Sequence, residues 1–96
     1  MQTTVDDLLK LGPLPSSANA DVGQLEIYQF ILAKIDQPIA DDDARALITL
    51  FGPDDCFGLC WTLLHIIETA LGWPISEILV PTGNEWIERL RERAAS

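Results

Sequence analysis

Apolar residues recur along this chain at three- and four-residue steps, the period of a helix with one covered face, and strict alternation is almost absent. The densest stretch runs from Gly52 to Gly72. Pro53 suits a first helical position, and Gly72 suits the left-handed residue that ends a helix. Between them apolar side chains lie on nearly every side. A helix apolar most of the way round is covered by its neighbours. The pattern predicts an all-α fold: a compact bundle of four or five helices around a central helix at about 53–71, forming one domain over 1–96.

The other helices are shorter and more one-sided. Val5, Leu8, Leu9 and Leu11 form one face of a first helix, with Thr3 or Thr4 as its cap and Gly12-Pro13 as its end. Leu14 to Ala20 reads as a loop. A second helix is expected from Asp21 to Ile35, with Val22, Leu25, Tyr28, Leu32 and Ile35 in register. Ile27, Phe30 and Ile31 widen that stripe and predict a largely covered helix. Gln37-Pro38 breaks it. A third helix follows from Asp41 or Asp42 to Phe51. Residues 75–80 read either as one helical turn or as a short extended piece. Thr82 and Glu85 have capping-box spacing for a fifth helix from Gly83 to about Ala94, with Trp86, Ile87, Leu90 and Ala94 inward.

Charge narrows the range of partners. Fifteen acidic and six basic residues give a net charge of −9, all of it in the first four-fifths of the chain. Nucleic acids and anionic membrane surfaces require a cationic footprint, so neither is an expected partner. A basic protein surface suits this charge. No basic leader or long apolar run stands near the start, and the stretch at 56–71 is too short and too interrupted to span a bilayer. With two cysteines and no disulfide framework, the chain is expected in the cytosol.

Cys56 and Cys60 offer only two thiol ligands, and His65 lies about 140° around the helix from Cys60 at 100° per residue. A thiolate metal site needs more, so the thiols read as small buried apolar groups, with no metal and no cofactor expected. Trp61, His65, Glu68 and Thr69 share one side of the central helix, with Thr62 beside them. This polar seam has two readings. One is a small enzyme or ligand site using His65 and Glu68; the other is a satisfied polar strip. No second histidine or nucleophile accompanies it, which favours the strip.

Asp6, Asp7, Asp21, Asp54 and Asp55 lie at expected helix starts, where they offset the positive end of the helix. Asp36 does not, and with Asp41, Asp42 and Asp43 it places four acids around one corner. Their spacing does not match a calcium-binding loop. The corner reads as a docking surface for a basic protein patch or as a solvated acidic edge. Trp73, in a connector, is either an interface anchor or a lid over the core. The candidate partner-binding residues are therefore Asp36, Asp41, Asp42, Asp43 and Trp73.

The run Leu50-Phe51-Gly52-Pro53-Asp54-Asp55-Cys56-Phe57-Gly58, continued through Trp61 to Ala70 and Gly72-Trp73-Pro74, resembles a recurrent segment of small uncharacterised bacterial proteins. The whole profile (small, acidic, helical, without a catalytic motif) is similar to that of immunity proteins of bacterial toxin systems. The resemblance implies a non-catalytic protein that binds a protein partner. A homodimer joined through helix two or five is a further expectation.

Overall fold

Helix α4 (Leu59–Glu68) is the element the others cover. Cys60, Leu63, Leu64, Ile66 and Ile67 on it are all buried. Around it the computed structural model, which describes residues 1–81 and 83–95, places α1 (Thr3–Leu11), α2 (Val22–Ala33), α3 (Asp41–Leu47) and α5 (Glu85–Ala95). Short 3-10 turns occupy Ile48–Leu50 and Ser76–Ile78. No strand occurs among the described residues. The fold is all-α. One hydrophobic core draws on every helix: Val5 and Leu8, Tyr28 and Leu32, Ala44 and Leu47, the α4 residues, and Trp86 and Leu90. Helix α4 packs against α2, α3 and α5, while α1 closes the far side against α2 and α3. No helix is long and apolar enough to cross a membrane.

The central helix is shorter than its apolar run. It begins at Leu59, not Pro53, because Cys56, Phe57 and Gly58 stand in succession at φ 47°, 54° and 89°. Left-handed residues cannot continue a right-handed helix. The turn at 53–58 is instead organised by Asp54. Its carboxylate accepts from the Ser17 amide at 3.0 Å and the Cys56 amide at 3.0 Å, and from the Ser17 hydroxyl at 3.2 Å. Just before it, Gly52 packs so closely on the Leu14 carbonyl that a Cβ there would collide with backbone. The loop at 14–20 is thus fastened to the turn that precedes α4.

Other boundaries move for local reasons. Helix α1 is not capped by Thr3 or Thr4. The carbonyl of Gln2 accepts its first amides, Val5 and Asp6, at 3.1 Å each. Tyr28, buried on α2, directs its hydroxyl to the end of α1 and donates to the Gly12 carbonyl at 2.9 Å. Helix α3 stops at Leu47 and tightens into a 3-10 turn before Phe51. Of the two readings for 75–80, the helical turn is the observed one. The expected cap at Thr82 lies outside the described residues. Asn84 accepts from the amides of Trp86 (2.8 Å) and Ile87 (3.3 Å) and opens α5.

Helix α2 departs most from expectation. Tyr28 and Leu32 are buried, but Val22, Ile27 and Phe30 are 71%, 50% and 61% exposed. The wide apolar stripe is not covered, since α1 and α4 occupy only its inner side.

Candidate functional site

The four carboxylates of the predicted corner do not act alike. Asp43 is 2% exposed and structural. Its two oxygens accept from the Gln2 amide at 3.1 Å and from the Ala40 amide at 3.3 Å. A buried carboxylate so engaged closes the start of α3 and is not a surface group. This removes Asp43 from the surface on which it was expected. Asp41 is half-buried, and one oxygen takes the Gly72 amide at 2.7 Å, tying α3 to the chain beyond α4. Asp42 is exposed and pairs with Arg45 at 2.6 Å; Arg45 also reaches Glu77. Asp36 is exposed, and only its backbone is held: the Gln2 side chain donates to its carbonyl and accepts from its amide, both at 2.9 Å. Gln2 thereby bridges Asp36 and Asp43, so the corner is real in space. Its outward carboxylates are Asp36 and Asp42, with Asp41 at the edge.

Trp73 is half-buried against the core. Trp86, by contrast, is 1% exposed. It stacks on Phe51 at 6.1 Å between ring centres and meets Trp61 edge-on at 4.9 Å. The Arg89 guanidinium lies 5.1 Å from the Trp61 ring centre and 5.0 Å from that of Trp86. Close to both indoles, it fastens α5 to α4 by cation–π attraction.

The polar seam is assembled as its spacing predicts. His65 Nδ1 stands 3.3 Å from Glu68 Oε1, and the Trp61 and His65 rings are 6.3 Å apart. The other Glu68 oxygen accepts from Arg93 Nε at 2.7 Å, which links α4 to α5. Thr69 donates to the Ile66 carbonyl and accepts from the Ile39 amide. Glu68 and Thr69 therefore serve packing between elements. His65 is mostly exposed, and neither it nor Glu68 lines the groove between α2 and α4 or the depression on the outer side of α2. No cluster of three or more potential metal ligands occurs among the described residues.

Cys56 and Cys60 are free and fully buried. Burial pushes the Cys60 thiol up to about 11, and its Sγ lies 3.1 Å from the Asp54 carbonyl. Burial also raises the Cys56 thiol. Neither has the lowered pKa of a reactive cysteine. Asp54 shifts the other way. The hydrogen bond from the Ser17 amide, then that from the Cys56 amide, holds its carboxyl below the usual range.

Beyond the corner and the seam lies a surface on α2, one of the two helices expected as a dimer contact. Between α2 and the start of α4 runs a groove of about 420 Å³, bordered by Leu25, Gln29, Ala33, Phe57 and Thr62. Phe57, the second of the three left-handed residues, is 67% exposed on its rim. On the outer side of α2, Gly23, Glu26, Ile27, Phe30 and Ile31 line a second, shallower depression. The signal for this surface was present: a helix with apolar residues on both sides needs two covers, and the chain provides one. The chain matches no protein-family model, no curated protein and no solved structure.

Proposed function

We propose that this chain is a non-catalytic acidic protein that binds a protein partner through the partner's basic surface, as an immunity or inhibitor protein does. The observation that carries this reading is how the cations are used. All four arginines are ion-paired within the chain: Arg45 with Asp42 and Glu77, Arg89 with Glu85, Arg91 with Glu88, and Arg93 with Glu68. Asp6, Asp7, Glu26, Asp36, Asp55 and Glu92 remain exposed, in no ion pair among the described residues. With every arginine engaged internally and only Lys10 and Lys34 outside ion pairs among the described residues, the surface presents an excess of carboxylates outward. Such a field steers a basic partner and rejects acidic ones. The seam is also tied into the packing, since Glu68 holds Arg93 with one oxygen and faces His65 with the other, which supports the non-catalytic reading. The two free thiols fit a reducing compartment such as the cytosol.

The test is affinity capture from the source cell at low and high salt, using wild type and Asp36→Lys/Asp42→Lys. These two positions leave the structural carboxylates Asp41 and Asp43 untouched. The expected result is a partner retained by wild type at low salt and lost by the reversed variant. Equal retention of that partner by both proteins, with the same salt dependence, defeats the reading.

A further inference from the structure

We propose that the outer face of α2, with the groove it forms against the start of α4, receives an amphipathic helix of the basic partner. This inference takes the partner's charge from the proposed function and adds the surface and the form of the ligand. Three observations carry it. First, Ile27 and Phe30 are at least half exposed on a helix whose opposite side is already buried in the core, and Val22, at the start of the same helix, is exposed as well. Contiguous exposed apolar side chains rimmed by polar ones mark contact surfaces. Second, Phe57 is held outward by a left-handed backbone that a bulky residue rarely adopts. It flanks the groove of about 420 Å³, which has room for apolar side chains between Leu25 and Thr62. A helix laid along α2 can place its apolar anchors there, the mode by which helices dock into grooves.

Third, the charges around this apolar face select its occupant. Asp21 stands at the start of α2, Glu26 on its outer face and Asp55 two residues before Phe57. All three are exposed and none is ion-paired among the described residues. Against them stands Lys34, whose ammonium lies 4.4 Å from the Phe30 ring centre. A second copy of this chain would bring the same acids against themselves, which like-charge repulsion opposes. A helix with an apolar stripe and lysines or arginines on its flanks meets both demands at once.

The test uses a synthetic peptide of about 18 residues, five helical turns, with leucine and lysine at helical spacing. A leucine/glutamate counterpart serves as the charge control. Each is titrated into the full chain labelled with nitrogen-15, and Ile27→Ser/Phe30→Ser and Phe57→Gly are compared with wild type after circular dichroism shows their helix content unchanged. Expected are amide shifts on α2 and on residues 57–62, with binding weakened about tenfold or more by either variant and by the charge swap. Shifts confined to the Asp36–Asp42 corner, or binding indifferent to both variants, overturn the inference while leaving the proposed function standing. Equal binding of the two peptides overturns the charge selection. A wild-type dimer in sedimentation that Ile27→Ser/Phe30→Ser converts to monomer makes a second copy the occupant and overturns it as well.

Discussion

The indole N–H of Trp86 donates to the backbone carbonyl of Asp54 at 3.1 Å, so α5 is pinned to the turn that introduces α4. The Cys60 thiol approaches the same carbonyl at 3.1 Å. Trp86→Phe keeps one aromatic ring but removes the donor and the second ring of the indole, while Cys60 still serves the acceptor. The expected loss is about 1–3 kcal/mol, a hydrogen bond plus the vacated part of the ring site. Trp86→Ala also empties the space against Phe51 and Trp61 and should cost about 3–5 kcal/mol. Urea unfolding followed by circular dichroism measures both. Equal effects would mean that the bond to Asp54, and not the packing, carries the contribution of Trp86.

Asp43 and Asp36 lie on one corner, yet their substitutions should behave oppositely. Asp43→Ala leaves two amides, those of Gln2 and Ala40, without their acceptor and should cost about 1–3 kcal/mol. Asp43→Asn restores only one of the two oxygens and should fall between. Asp36→Ala touches no hydrogen bond of its own side chain, so its urea midpoint should match wild type. Coincident midpoints for Asp43→Ala and Asp36→Ala would contradict the buried role of Asp43.

Acid should loosen the turn at Asp54 only below the ordinary carboxylate range. Its carboxyl is held below the ordinary value of 3.8 by hydrogen bonds from Ser17 and Cys56. The unfolded chain therefore takes up that proton at a higher pH than the folded one. The stabilisation is present above the ordinary carboxylate range and is lost as pH falls through the lowered native value. Asp54→Asn should flatten this limb of the stability–pH curve while lowering the plateau at neutral pH. An unchanged acid limb in that variant would assign the effect to other carboxylates.

The thiols should be silent in the native state. With Cys60 raised to about 11 by burial, few thiolates exist at pH 8, and neither sulfur meets solvent. A chromogenic disulfide reagent should label neither cysteine until urea unfolds the chain. A raised thiol pKa stabilises the fold below the unfolded value of 9.0, and this contribution is lost as pH climbs toward the native one. Rapid labelling of native protein at pH 8 would show that the region around α4 opens readily.

Two neighbouring substitutions should have opposite signs. Gly58, at φ 89°, has open space around its absent Cβ, so Gly58→Ala tests backbone conformation alone and should cost about 1 kcal/mol. Phe57→Gly relieves a bulky residue at φ 54° that buries little surface and should gain about 0.5–1 kcal/mol, after the added freedom of the unfolded chain is counted. Thermal unfolding of the pair separates them. A Phe57→Gly protein less stable than wild type would show that the exposed ring contributes to the fold.

Much of this architecture was legible because helical periodicity is a local signal. Val5 and Leu8, Tyr28 and Leu32, Leu63 and Ile67, and Trp86 and Leu90 all lie inward as their spacing demands. The pairs Glu85–Arg89 and Glu88–Arg91 form as their spacing predicts. What periodicity cannot register is competition between a continuous apolar run and the backbone. Cys56 and Phe57 prolong the pattern of α4, yet the bonds of Asp54 to Ser17, thirty-seven residues away, belong to a turn. Nor does composition separate Asp43 from its acidic neighbours, because the donor that engages it, Gln2, lies forty-one residues away in sequence. On α2 periodicity does not say how many neighbours a stripe will meet: the stripe is wide enough for two, and only its inner side has them.

The Gln2 bridge has a practical consequence for anyone handling the molecule. Its side chain holds both backbone groups of Asp36, so Met1 leaves the fold beside the acidic corner, with its own side chain exposed. A carrier protein or affinity handle joined ahead of Met1 would shade that corner and dull any measurement of what binds there. Attachment to the bead or sensor chip belongs elsewhere on the surface, away from the first turn of the chain.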